Sequence, residues 1–149
     1  MAVTVQEIFD ISIHLMDAQN ESTGNTETAD TKEYRLRTIS LLNSVLDRAF
    51  PYSDNYREAL EKAAGRRPVC PKASAFTQTV DLDDRVCTSA LPYGLAALFL
   101  LEEDPTRADF FWQTFLENLE LCRQGLPAVI GEVEDVYGGI EHGEFGAWL

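Results

Sequence analysis

The stretch SALPYGLAALFLLEED, residues 89–104, decides the fold of this 149-residue chain. From Ala90 to Glu102 it is apolar on nearly every side, which is typical of a helix buried at the centre of a domain. Pro92 fits the first turn of such a helix, where its missing N–H costs no hydrogen bond. Gly94 and two nearby alanines leave room for neighbouring helices to approach closely. The stretch therefore predicts a central helix over residues 90–102.

A second helix is predicted directly after the first. Asp104 and Pro105 form the N-cap and first-turn pair that favours a helix start, and Gly125 is expected to end it. The turn between the two helices is very short, so we expect them to pack antiparallel as an αα-hairpin. One stripe of apolar residues is expected to face the core: Ala108, Phe111, Phe115, Leu119 and Cys122, widened by Trp112 and Leu116.

The N-terminal half predicts further helices. Thr4 and Glu7 form a capping box before a helix over residues 5–17. A second capping signature at Asp30 and a period near 3.6 predict a helix over 31–50, which Pro51 ends. A short helix is expected over 55–64, closed by Gly65, and another over 82–88. Alternating residues over 76–80 predict a strand or an extended stretch.

These elements predict an all-α fold: a helical bundle of four to five helices over residues 1–125, with one short extended segment. Residues 126–149 form a Gly-rich C-terminal tail that holds five acidic residues and no Lys or Arg. A solvated tail would not need its many apolar residues, so we expect it to dock on its own bundle or, preferably, on a neighbouring subunit. The residues expected to bind a partner are Val129, Ile130, Val133, Val136, Tyr137, Phe145 and Trp148.

The formal net charge of −13 argues against binding to a phosphate backbone or an anionic membrane, since both need clustered Lys and Arg. It favours a partner with basic patches, although a solvated acidic surface explains it equally well. The start of the chain has no signal-peptide pattern, and the run Gly94–Leu101 is too short to span a bilayer. Three cysteines without CxxC spacing suggest free thiols. We therefore expect a cytoplasmic protein that binds no membrane.

One basic cluster interrupts the acidic chain. Lys62, Arg66, Arg67 and Lys72 lie around two prolines in a segment predicted to be irregular. The cluster is too small for a nucleic-acid site, but Arg66 and Arg67 are candidates for ion pairing with an acidic neighbour, such as another copy of this chain. The polar stretch 18–30 is predicted to be a mobile loop, for which a binding role stays open.

Catalytic and metal-binding patterns are missing from the sequence. There is no GxSxG, P-loop, GxGxxG or HExxH, and only two histidines are available as bases. Asp81, Asp83 and Asp84 are explained more simply as helix caps than as metal ligands. We expect no catalytic residue, no metal and no cofactor, while general acid–base chemistry by scattered carboxylates stays an alternative.

The run LPYGLAALFLLEEDPTRADFF, residues 91–111, resembles the central helices of tailed-phage head–tail connector (adaptor) proteins. In that pattern an apolar helix ends in an acidic pair, and an aromatic helix follows, here continuing as Phe115-Leu-Glu-Asn-Leu119. Ile39-Ser-Leu-Leu-Asn43 is similar to the N-terminal half of such proteins from prophages of Gram-positive bacteria. The resemblance covers residues 5–122 and does not extend to the tail.

The resemblance implies a structural subunit that forms a ring with other copies of itself beneath the portal protein of a capsid. The genome would pass through that ring without sequence-specific contacts, and the protein would be found in the host cytoplasm or in the virion. The alternative is a small acidic adaptor or regulatory protein that binds a basic protein partner.

Overall fold

The computed structural model describes residues 3–124, which contain six α-helices and one 3₁₀ helix. The predicted all-α fold class is therefore confirmed. The α-helices are α1 (Val5–Leu15), α2 (Lys32–Ala49), α3 (Asp54–Lys62), α4 (Asp84–Ser89), α5 (Leu91–Phe99) and α6 (Pro105–Gln124), and the 3₁₀ helix is Phe50–Tyr52.

Helix α5 is the centre of the bundle and packs against α1, α2, α4 and α6. Leu91, Leu95 and Phe99 are fully buried along it. A Cβ atom added at Gly94 would lie 3.1 Å from the ring of Phe115 on α6, so this glycine allows the two helices to approach closely. The predicted hairpin of α5 and α6 is confirmed.

Helix α5 ends at Phe99 and not at the predicted Glu102. The chain must reverse before α6, and the turn is closed by the backbone N–H of Asp104, which donates to the carbonyl of Leu100 at 2.9 Å. The side chain of Asp104 then caps α6 by accepting from the N–H of Arg107 at 3.3 Å. The early end of α5 leaves Leu101 exposed at the tip of the hairpin.

Of the strand or extended stretch predicted over residues 76–80, the structure has a single bridge at Thr79, because residues 76–77 lie in a turn closed by the N–H of Gln78, which donates to the carbonyl of Ala75. Thr79 pairs antiparallel with Thr4, and these are joined by backbone hydrogen bonds from Val5 to Gln78 and from Val80 to the carbonyl of Val3. Within residues 3–124 this bridge does not extend into a ladder. It fixes the start of α1 against the irregular segment that precedes α4.

The loop over residues 18–30, predicted to be mobile, is instead hydrogen-bonded to the bundle. The hydroxyl of Thr26 donates to the carboxylate of Asp10 at 2.7 Å, and the hydroxyl of Thr31 donates to the carbonyl of Thr26 at 2.6 Å. Glu27 pairs with Arg35 of α2 at 2.7 Å. Hydroxyl groups, and not apolar side chains, connect this loop to the bundle. The polar composition of the loop therefore did not indicate these contacts.

None of the helices in the described residues is both long and apolar enough to cross a membrane. The tail over 126–149, expected to be a docking segment, lies outside the described residues, as do its seven predicted partner-binding residues.

Candidate contact surfaces

The basic cluster lies at an open cleft of about 610 Å³ beside the C-terminal end of α2. Arg67 and Lys72 line it, and both are exposed. Arg66 is also exposed, but it is not part of the cleft lining. The structure therefore brings one of the two predicted arginines to the cleft, together with a lysine that the sequence had grouped with them.

The walls of the cleft are largely apolar. Phe50 and Tyr56 line it with an edge-to-face ring contact, their centroids 5.1 Å apart, and Pro68 is buried beside them. Val69, also in the lining, is 84% exposed, which is unusual for an aliphatic side chain at a cleft rim. The cleft thus combines two cations with an apolar surface.

The irregular segment that forms one wall is fixed by Asn43 of α2. Its amide nitrogen donates to the carbonyl of Ala73 at 2.9 Å, and its amide oxygen accepts from the N–H of Ala73 at 2.8 Å. This pairing satisfies both backbone groups of a buried residue, as a strand neighbour would. One side chain that lies 30 positions earlier in the chain therefore helps to hold the wall in place.

Charge is strongly segregated around this wall. Residues 62–80 contain four Lys or Arg and no Asp or Glu, in a chain whose formal net charge is −13. Asp47 of α2 lines the cleft as well, opposite in sign to Arg67 and Lys72. An acidic ligand in the cleft would be attracted by two cations, Arg67 and Lys72, and repelled by one carboxylate, that of Asp47.

A second surface is an apolar groove of about 360 Å³ along the α5–α6 hairpin. Leu98, Leu101 and Trp112 line it, and Leu101 is 59% exposed. The sequence pattern placed Trp112 at the margin of the core stripe, and its half-buried ring packs against the core and also forms one side of the groove.

The two surfaces adjoin the same part of α2. Asp47 lines the basic cleft, whereas the guanidinium of the next residue, Arg48, lies 5.3 Å from the ring centroid of Trp112 at the apolar groove. Phe110 and Leu121 of α6 are also exposed, but they do not line the groove. The bundle therefore has two candidate contact surfaces of different chemistry. The cleft is basic, and the groove is apolar except for Asp109.

The aspartates before α4 act as caps, but not in the expected way. Asp83 is the N-cap of α4, yet its carboxylate accepts from the backbone N–H of Asp54 at the start of α3, at 2.7 Å. In return, the hydroxyl of Ser53, the N-cap of α3, accepts from the N–H of Asp83 at 3.0 Å. In residues 3–124 no three His, Cys, Asp or Glu side chains are grouped as a metal site.

Burial controls the titration of the thiols and of one tyrosine. Burial raises the pKa of Cys87 to about 12 and that of Cys70 to about 11, with neighbouring aspartates adding to both. Both thiols are thus protonated and weakly nucleophilic at neutral pH. Burial also raises the pKa of Tyr34 to about 12, aided by its hydrogen bond to Glu103 at 2.5 Å.

Comparison of the chain with family models, with curated proteins and with solved structures gives no match. The resemblance to head–tail connectors therefore rests on the sequence pattern alone.

Proposed function

We propose that this chain is a structural assembly subunit, a head–tail connector that forms a ring on the portal protein of a tailed phage. The observation that carries the proposal is the pair of unlike contact surfaces on one small bundle. The basic cleft and the apolar groove differ in chemistry, so they suit two different partners. One surface can contact another copy of the chain and the other the portal protein.

A ring that sits on a portal requires two kinds of contact, one between neighbouring copies of the subunit and one with the portal protein. The apolar groove, with Leu101 and Trp112 at its rim, has the composition of an interface centre, where aromatic side chains are enriched and charges are depleted. The basic cleft supplies the second, polar kind of contact.

The charge supports a passage for DNA. The 25 acidic and 12 basic side chains leave a strong negative field around the chain. Such a field repels the phosphate backbone, so DNA would slide through a ring of these subunits without being retained.

The proposal is tested by mixing the full chain with the portal protein encoded in the same genome and imaging the product by electron microscopy. We expect a ring of this chain on the portal. The variant Leu101→Asp places a charge in the apolar groove and should raise the concentration needed for assembly about tenfold or more. The matched control is Leu36→Asp, because Leu36 is exposed on α2 outside the groove.

Equal assembly by the two variants would show that the groove is not an interface. Absence of any complex with the portal would remove the connector function. A second candidate is then favoured by the net charge: a small adaptor that binds a basic protein. It would be supported if the chain bound a basic partner with an affinity that falls steeply as the salt concentration rises.

A further inference from the structure

We infer that the basic cleft of one copy holds the acidic end of a second copy, in a head-to-tail arrangement. The acidic end consists of three exposed carboxylates: Glu33 at the start of α2, and Glu102 and Glu103 in the turn of the α5–α6 hairpin. The assignment rests on the proposed function, which it deepens: the cleft becomes the contact between copies, and the apolar groove is left to the portal.

A hydrogen bond joins the two parts of the acidic end. The hydroxyl of Tyr34, which follows Glu33 in the first turn of α2, donates to the carboxylate of Glu103 at 2.5 Å. Burial is the main reason that the pKa of Tyr34 is raised to about 12, and the negative charges of Glu103 and Glu33 add to it. Both carboxylates therefore act on the same phenol, and the start of α2 and the hairpin turn carry their negative charges together.

Three cations lie near the acidic end and reduce its charge. Lys32 is exposed, Arg37 is half-buried, and the guanidinium of Arg107 donates to a carbonyl of α1 at 3.5 Å. Against them stand the three carboxylates of the acidic end and that of Asp104, which follows them in the chain. The end therefore remains negative.

Helix α2 separates the acidic end from the cleft. Glu33 lies in its first turn, whereas Asn43 and Asp47 of its C-terminal half line the cleft. These two residues follow Glu33 by 10 and 14 positions, which corresponds to about 15 and 21 Å along the helix axis. A continuous helix of this length keeps the acidic end of a molecule out of its own cleft. The cleft can therefore receive this end only from a second copy.

The cleft is suited to carboxylates. Arg67 and Lys72 line it, in a stretch over residues 62–80 that is free of Asp and Glu. The apolar walls, which include Phe50 and Tyr56, have a low dielectric constant and so focus the field of the two cations into the cleft. Asp47 repels carboxylates on the α2 side and so favours their binding at the opposite wall. The adjacent side chains of Glu102 and Glu103 match the two cations in number and in sign.

Each copy has one cleft and one acidic end, so a head-to-tail contact leaves one of each available to further copies. Contacts of this kind close into a ring when the rotation between copies allows it. A two-fold pair would instead use both surfaces of both copies and stop at two. The ring of the proposed function requires the first arrangement.

The experiment uses two charge-reversed variants of the full chain. The first, Arg67→Glu with Lys72→Glu, makes the cleft acidic, and the second, Glu102→Lys with Glu103→Lys, makes the acidic end basic. Each variant alone brings like charges together and should associate about tenfold more weakly than the unaltered chain. An equal mixture restores opposite charges at every contact and should associate about as strongly as the unaltered chain. Analytical ultracentrifugation at physiological ionic strength measures the association.

The matched control reverses the same numbers of charges on α3, outside the cleft lining and away from the acidic end. Its two variants are Arg57→Glu with Lys62→Glu, and Glu58→Lys with Glu61→Lys, all at exposed positions. They have the same net charges as the test variants. Mixing them should strengthen association by about twofold at most, because the general attraction between the chains is screened by salt.

Chemical cross-linking then identifies the contact. In an equal mixture of ¹⁴N-labelled and ¹⁵N-labelled unaltered chains, a carbodiimide joins an amine directly to a carboxylate that it touches. Lys72 should be joined to Glu102 or Glu103, in peptide pairs that contain both isotopes and therefore come from two copies. Lys72 joined to either residue only within one isotope would place the contact inside one molecule and overturn the inference.

Three further results would also overturn it: a mixture of the test variants that stays monomeric at about 1 mM, equal strengthening in the control mixture, or a particle that stays at two copies as the concentration rises. The connector proposal is decided separately, by ring formation on the portal. A ring on the portal without rescue by mixing would remove only the head-to-tail contact, and rescue without a portal complex would remove only the connector function.

Discussion

The α5–α6 hairpin and the irregular segment over residues 63–83 are held in place by different forces. The hairpin is held by burial: Leu95, Phe99 and Phe115 are almost completely inaccessible to solvent. The segment buries only smaller apolar side chains, such as Val80 and Leu82, and it depends in addition on hydrogen bonds from distant side chains, chiefly those of Asn43 and Ser53. The first kind of stability follows from apolar periodicity, and the second depends on single polar groups that no periodicity reveals.

This difference matters for the candidate sites. The apolar groove belongs to the strongly packed region, whereas the wall of the basic cleft belongs to the weakly packed one. Substitutions should therefore affect the two regions on different scales, and the following predictions rank them from the largest effect to the smallest.

The largest effect is expected from Phe115→Ala. The change removes a fully buried ring that contacts Gly94 and Trp112, and it leaves a cavity that the bundle cannot close fully. The free energy of unfolding should fall by about 3–5 kcal/mol. Chemical denaturation measures it, and the exposed Phe110→Ala on the same helix is the control, with a change of about 0.5 kcal/mol or less.

A smaller effect is expected from Asn43→Ala. This change leaves the N–H and the carbonyl of buried Ala73 without their hydrogen-bond partner. The cost should be about 1–3 kcal/mol, because unsatisfied buried groups lose their solvation without compensation. Ser44→Ala, at the exposed neighbouring position, is the control and should change stability little. If both variants unfolded at the same denaturant concentration, the Asn43 hydrogen bonds would not hold the wall.

Alkaline pH should destabilise the bundle through Cys87. Because burial raises its pKa from 9 to about 12, the folded state keeps a proton that the unfolded state releases. The resulting stability is fully present below pH 9 and is lost as pH rises from 9 toward 12, by at most about 1.4 kcal/mol per pH unit. In Cys87→Ala the decline in unfolding free energy between pH 9 and 11 should be shallower, whatever the variant's stability at pH 7. An unchanged decline would contradict the prediction.

The smallest effect is expected from Glu27→Gln. The ion pair with Arg35 is partly exposed, so its loss should cost about 0.5 kcal/mol or less. Arg35→Gln should cost more, since the guanidinium also lies 3.9 Å from the ring centroid of Phe76 and donates to Gln6. Thermal unfolding of the two variants compares them, and equal shifts would mean that the ion pair dominates.

The parts of the fold that the sequence predicts are those with local causes. Thr4 caps α1 and Asp104 caps α6 as their positions indicate, with hydrogen bonds of 3.2 and 3.3 Å. Gly65 follows α3 with a φ of +85°, as expected of a glycine that ends a helix. The helix itself ends at Lys62, two residues before the predicted end, because Ala64 also has a positive φ. These three helix boundaries depend on neighbouring residues, and they are therefore predictable from the sequence.

The candidate sites were less predictable because their causes are distant. The basic cluster is visible in the sequence, but the wall of its cleft is positioned by a contact between Asn43 and Ala73, which are far apart in the sequence. The loop over 18–30 is polar, and composition does not reveal that Thr26 meets Asp10. The apolar groove depends on where α5 ends, which the uniform hydrophobicity around Leu100 does not indicate.

The exchanged caps of α3 and α4 have a consequence for the order of folding. Each helix begins with a donor that is satisfied by the other helix's cap residue, Ser53 or Asp83. A nascent chain that stops short of residue 83 cannot complete the start of α3, however much of that helix has already been synthesised. Truncations before residue 83 should therefore fray the start of α3 as well as removing α4, so the starts of these two short helices are coupled.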